Sequence, residues 1–237
     1  MNNRIMKVIL GVVMSAAILI GSQIPTNAAV AITKTTADVS DTAVASYSQI
    51  LSARVPAEVV NAFCKRGGAV SVSNTLDLAA LGLIPHGWNN VNAASVSGLA
   101  MHDALGTSVP LIYLKADLVN NRKGYKPLSA ERNICHEFGH FICGQASEIK
   151  TGVYNPLTTV DFANLYALEK SGYTNTPKML GTLTGSFASL NSAEEFYANI
   201  AAGLMIDPVN TQAAFPQASA YVMNDINLIK TTYALQP

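Results

Sequence analysis

Charge is scarce in this chain. Asp, Glu, Lys and Arg make up 13% of its 237 residues, well under the roughly 25% usual in soluble proteins, and the fifteen basic residues balance the fifteen acidic ones. No Lys/Arg run of five or more occurs, which excludes an electrostatic grip on nucleic acid; bulk charge does not choose the partner. Disorder is excluded as well, because 49% of the residues are hydrophobic and such a chain can bury enough apolar surface to fold. Cysteine is limited to Cys64, Cys135 and Cys143, an odd number that rules out a fully paired disulfide framework within one chain. Cys135 and Cys143 would stand ~12 Å apart along a helix, beyond the ~7 Å limit between bridged Cα atoms. Only Cys64 could then pair with either, and three small buried thiols are the alternative reading. There is no G-x-S-x-G elbow and no phosphate-cradling glycine loop, so neither a serine hydrolase nor a nucleotide enzyme has support. Internal repeats, low-complexity segments and a linker long enough to force a second domain are absent too.

The one long apolar run lies at the start. Arg4 and Lys7 precede an uncharged stretch from Val8 to Ile20, and small residues follow at Ala28, Ala29 and Ala31. That run is shorter than the ~20 residues needed to cross a bilayer, and Ala29-Val30-Ala31 offers an A-x-A cleavage site, with Ala28 as another point of cleavage. Residues 1–31 are therefore read as a signal peptide and residues 32–237 as one domain, with a retained membrane anchor as the alternative. Removing Arg4 and Lys7 leaves a mildly acidic secreted, extracellular protein that needs no membrane.

Hydrophobic periodicity then predicts helices around a small sheet. Thr42 to Arg66 reads as two amphipathic helices broken at Val55-Pro56 and closed by Gly67-Gly68. Ala69 to Ser73 and Val109 to Lys115 read as strands separated by a loop through Ile84 to Trp88, and Pro110 argues for an edge position in the second. Ser129 can cap a helix from about Ala130 to Cys143, stopped by Gly144. Further helices are expected over Asp161 to Lys170, Ala193 to Met205 and Gln217 to Thr231.

The middle helix carries His136-Glu137-Phe138-Gly139-His140, a match to H-E-x-x-H. Residues four apart on a helix share a face with Cβ atoms ~6 Å apart, so the two imidazoles can converge on one Zn²⁺ with Glu137 beside it. Zinc lowers the pKa of a coordinated water toward ~7, and a neighbouring carboxylate can take the proton that the water loses. Coincidence is a poor explanation: with only four histidines in the chain, shuffling gives on the order of 0.0015 matches. A catalytic zinc needs a third protein donor and an open position. The extended three-histidine pattern fails, since Cys143 and Ala146 stand where its glycine and histidine belong. Cys143 shares the histidine stripe but is displaced ~10 Å from His136 along the axis. Downstream, Glu194 and Glu195 open a helix and either can supply the donor. Asn191-x-x-Glu194 and Ser192-x-x-Glu195 both also satisfy a capping box, in which the acid merely serves helix-start amides. His86 in its Pro/Gly loop, His102 beside Asp103, and Trp88 are read as surface or packing residues.

Together, His136-Glu137-Phe138-Gly139-His140 and Glu194-Glu195-Phe196-Tyr197-Ala198 resemble the catalytic domain of anthrax lethal factor and the secreted Pro-Pro endopeptidases of Gram-positive bacteria. Ile84-Pro85-His86-Gly87-Trp88 and Phe215-Pro216-Gln217 extend the resemblance over most of the mature chain. It implies an α+β, mainly helical zincin-like domain with a small mixed sheet and the H-E-x-x-H helix at its centre. It also implies His136, His140 and Glu195 as zinc ligands, Glu137 as general base, and a gluzincin-type endopeptidase acting as a monomer on protein or peptide substrates, among them proline-containing ones. Two positions depart from the family. Ala188 replaces a tyrosine whose hydroxyl assists the oxyanion, so Tyr173, Tyr197 or another tyrosine would have to substitute, or the oxyanion would rely on zinc alone; losing such a donor costs ~10²–10³ in kcat. Asn199 replaces an acid behind the ligands. The first departure motivates a rival reading, a zinc-bearing binding or toxin-accessory module with weak or lost protease activity. In the leading reading, substrate adds to the sheet along Val109 to Lys115.

Overall fold

The computed structural model describes residues 30–74, 76, 98–101, 109–116, 128–174 and 192–234. Residues 1–29 of the expected signal peptide, the Ile84 to Trp88 loop, His102 and Ala188 lie outside the described residues. No helix among the described residues is long and apolar enough to cross a membrane.

Among the described residues, four strands form one mixed sheet, β1 (Ile32–Lys34), β2 (Ala69–Ser73), β3 (Gly98–Met101) and β4 (Leu111–Lys115), in the order β1-β2-β4-β3. The first two neighbour pairs are parallel and β3 runs antiparallel to β4, with Leu99 opposite Tyr113. Val70, Val72, Ile112 and Leu114 turn one face of this sheet into the core, the alternation that a pleated strand requires. The edge position expected for Val109 to Lys115 is not what the fold adopts: β4 is interior. Pro110 stands just before its first residue, where the missing N–H interrupts no ladder bond and its carbonyl still accepts from the Ala69 N–H at 3.1 Å. Among the described residues the edges are β1 and, beside β4, β3, a segment too short and too glycine-bounded to read as a strand from pattern alone.

Among the described residues, seven helices accompany the sheet, making the chain mainly helical α+β. They are α1 (Asp41–Arg54), α2 (Ala57–Lys65), α3 (Leu128–Thr151), α4 (Val160–Thr174), α5 (Ala193–Ile206), α6 (Pro208–Ala214) and α7 (Pro216–Thr232). The hydroxyl of Ser40 caps α1 by accepting from the Ala43 N–H, and Ala43, Tyr47 and Leu51 form its buried stripe at four-residue spacing. Tyr47 reaches across to donate to the Lys115 carbonyl at 2.9 Å, tying α1 to the end of β4. Gly67, at φ +76°, takes the left-handed turn that ends α2 and starts β2.

α3 lies at the centre, longer at both ends than its sequence pattern suggests. It begins at Leu128, which puts Ser129 inside the first turn. It also continues through Gly144 to Thr151 and ends at Gly152, which has φ +78°. Gly144 serves packing, not termination: a Cβ there would stand 2.2 Å from Cζ of Tyr154, whose ring lies 4.2 Å beneath the Arg66 guanidinium. α3 also buries Ile134, Phe138 and Phe141, the last two packed on Phe63 with ring centroids 5.0 and 5.1 Å away. A buried polar knot joins three helices, in which Asp225 of α7 accepts from Tyr197 of α5 at 2.8 Å and pairs with Lys150 of α3. Glu169 of α4 accepts from the Gln217 and Ala218 N–H groups at 2.9 and 3.0 Å, satisfying the first turn of α7.

Gly139 sets the approach of α5 to α3. A Cβ built on it would meet Ala198 Cα at 2.7 Å and the Ala198 carbonyl oxygen at 2.8 Å, backbone atoms that cannot rotate away. Helix propensity favours alanine over glycine by ~1 kcal/mol, whereas overpacking costs ~1–3 kcal/mol, so the clash outweighs the propensity. Gly139→Ala is expected to lower Tm by about 2–8 °C in a thermal melt. An unchanged Tm would show that the two helices separate without cost.

Candidate metal centre

The histidines of α3 stand one turn apart, with ring centroids 4.8 Å apart, planes at 88°, and Nε2 atoms 3.2 Å from each other. α5 brings a carboxylate to them. Ser192 caps that helix by accepting from the Glu195 N–H at 3.3 Å, so only the backbone of Glu195 takes part in the cap. Its side chain is left to face the histidines, with Oε2 3.2 Å from His136 Nε2 and Oε1 3.5 Å from His140 Nε2. Glu194, about 100° further round the helix, turns away and accepts from Thr158 Oγ1 at 3.1 Å. The structure therefore brings His136, His140 and Glu195 together, with ligand atoms within 4.8 Å of one another, and sends Glu194 elsewhere.

The donor set fits zinc on spacing and on chemistry. Bonds of about 2.0–2.2 Å in a tetrahedral arrangement place neighbouring donors about 3.3–3.6 Å apart, and the three separations here are 3.2, 3.2 and 3.5 Å. Two imidazoles and one carboxylate are common zinc donors, and three of them leave a fourth direction open. The side chains of His136 and His140 are 15% and 16% exposed and that of Glu195 33%, so the cluster is lined by protein and open to solvent on one side.

Electrostatics separate the two carboxylates. Burial raises the carboxyl pKa of Glu195, but hydrogen bonds from His136 and His140 outweigh it and hold the group well below its ordinary range, ionised as a ligand must be. Glu137 is buried, and that burial drives its pKa up. The charges of His136 and His140 oppose the rise, the charge of Glu195 adds to it, and the nearby Ala100 N–H opposes it slightly. A carboxylate raised in this way is a stronger base than a solvated one. For His136, burial pulls downward, but the Glu195 hydrogen bond and the charges of Glu137 and Glu195 leave its pKa raised.

Behind the cluster, His136 Nδ1 lies 3.0 Å from Oδ1 of Asn199, a residue buried on α5. A carbonyl oxygen there accepts from Nδ1–H and so keeps the Nε2 lone pair directed at the centre. Asn199 thus occupies the place where an acid is expected, with an acceptor but no charge. Its identity was visible in the sequence as a departure; its orienting contact was not. Asn199→Leu is expected to weaken zinc binding by ~10–100-fold in a chelator competition, the cost typical of losing such a partner. An unchanged affinity would show that His136 needs no orienting group.

Two sequence candidates do not reach the centre. The Tyr197 hydroxyl is buried and donates to Asp225, on the α7 side, so it does not supply the missing oxyanion donor. Cys143 is buried, and burial pushes its thiol pKa up to about 12, as it does for Cys135; both are neutral and poor ligands. Cys64 is half-buried, and none of the three is in a disulfide. The side chain of Tyr173, together with His86, Trp88, His102 and Ala188, lies outside the described residues.

No family model matches the chain, and no curated protein matches its sequence. Among solved structures, the chain is similar to the Pro-Pro endopeptidase from Paenibacillus alvei at 14% identity and a TM-score of 0.49, covering 82% of this chain and 96% of that one.

Proposed function

We propose that the chain is a secreted zinc-dependent endopeptidase of the gluzincin type, with His136, His140 and Glu195 as ligands and Glu137 as general base. Residues 1–31 act in this reading as a signal peptide and residues 32–237 as the peptidase domain, a monomer outside the cell. The observation that carries the reading is the convergence of three donors at tetrahedral spacing, with a buried carboxylate of raised pKa alongside them. The sequence resemblance to the lethal factor and Pro-Pro endopeptidase group supports it from another side and makes proline-containing peptides the first substrates to try.

Zinc, when bound, supplies a Lewis acid that lowers the pKa of a water toward ~7 and polarises the peptide carbonyl. The remaining work belongs to the chain. Glu137 takes a proton from the attacking water at its carboxylate and returns it to the departing amine nitrogen. Asn199 holds His136 in the orientation that leaves Nε2 available. Peptide would add to the sheet at β3, the edge strand beside Glu137, and not at interior β4.

One observation favours a second reading, a zinc-bearing binding or toxin-accessory module with weak or lost activity. Ala188 stands where the related peptidases carry a tyrosine, and Tyr197 is committed to Asp225. Incubating the mature protein with a peptide library, beside Glu137→Ala, separates the two. Cleavage by wild type alone supports the peptidase. Equal product from both proteins removes it, and a zinc-loaded wild type that cuts nothing favours the module.

A further inference from the structure

β3 does more than close the sheet. Gly98, its first residue, has no room for a side chain: a Cβ there would stand 2.4 Å from Glu137 Oε1 and 2.5 Å from Asn133 Oδ1. Two residues on, the Ala100 N–H lies close enough to that same Glu137 carboxylate to favour its charged form. Asn133 and Glu137 are one turn apart on α3 and both buried, at 6% and 4% exposure, so the face of α3 that bears the base is pressed against the strand backbone.

A glutamate has three side-chain torsions, and fixing them costs rotamer entropy unless the surroundings already confine it. Here the confinement comes from the strand backbone: the missing side chain of Gly98 admits the carboxylate, with the Ala100 N–H close by. We propose that Gly98 is a positioning residue, whose bare Cα lets the Glu137 carboxylate lie against β3, so that the strand edge which seats the peptide also fixes the base. The proposal rests on the peptidase reading of Glu137 and adds to it the element that aims the base. Since the Cβ of residue 98 would point at α3 and away from a docked peptide, substitution should disturb chemistry more than binding.

Gly98→Ala is the test. Kinetics on a cleaved peptide are expected to show kcat lowered by ~10–100-fold, the cost of displacing a catalytic group by about 1 Å, with KM within about threefold and zinc content unchanged. Asn133→Ala in the Gly98→Ala background removes one of the two obstacles and is expected to restore part of kcat, a rescue that general loosening of the fold would not give. A kcat within twofold of wild type, or a loss carried by KM alone, overturns the proposal. A readout free of catalysis covers a variant that folds poorly and an inactive wild type: the Ala100 amide resonance in a ¹⁵N spectrum of the wild-type chain. Its movement on Glu137→Ala supports the contact, and a resonance that stays in place overturns it. If wild type cuts no peptide while this resonance moves, the peptidase reading fails and the clamp on Glu137 stands.

Discussion

Glu137→Gln should leave zinc bound and the fold intact while peptide hydrolysis falls by ~10²–10⁴-fold, the range that positioned proton transfer contributes. The amide keeps the size of the side chain and an oxygen that can face the Ala100 N–H, so geometry is conserved and basicity alone is lost. That isolates the chemistry from the packing. Initial rates on a cleaved peptide, with metal analysis of the same preparation, are the measurement. Activity retained at the wild-type level would mean that another group takes the proton, and the assignment of Glu137 would have to be abandoned.

The second large effect concerns the metal itself. Glu195→Ala removes the single anionic donor of the group and leaves two imidazoles 3.2 Å apart. Zinc affinity should fall by more than the ~10–100-fold expected for an orienting partner such as Asn199. Stability reports the same loss. A ligand at 100 times its Kd stabilises the folded state by ~2.7 kcal/mol, worth about 5–11 °C in a domain of this size. Wild type should therefore show a zinc-dependent rise in Tm of that order, and Glu195→Ala should show little at the same zinc concentration. A variant that keeps both its zinc and the rise would remove Glu195 from the ligand set. Glu194→Ala makes the control, because its carboxylate faces Thr158.

Much of this site was legible in the sequence for a physical reason. Helical spacing is local, so His136, Glu137 and His140 declare their shared face without any knowledge of the fold. The third donor did not declare itself, because Glu194 and Glu195 satisfy equivalent capping patterns, and choosing between them needs the angle at which α5 crosses α3. That angle depends on Gly139 and Ala198, residues whose role is to be small. The edge strand was misplaced for a similar reason. Pro110 signals a missing donor, but whether that donor matters depends on whether the ladder reaches residue 110, and it begins at Leu111. β3 escaped notice because four residues carry too short an alternation to register as a strand. Gly144 reads as a helix stop by its identity alone, yet the Tyr154 ring claims the space its side chain would fill, and α3 continues.

All three donors ride on helices anchored in the core: Phe138 and Phe141 hold α3, while Phe196 and Tyr197 hold α5. Glu195 moreover lies in the first turn of its helix, where the exposed N–H groups already favour a negative charge. Such a clasp is expected to keep its shape when emptied, unlike a small finger domain that collapses with its ion. Stripping bound zinc by dialysis and returning it should therefore be a round trip without refolding.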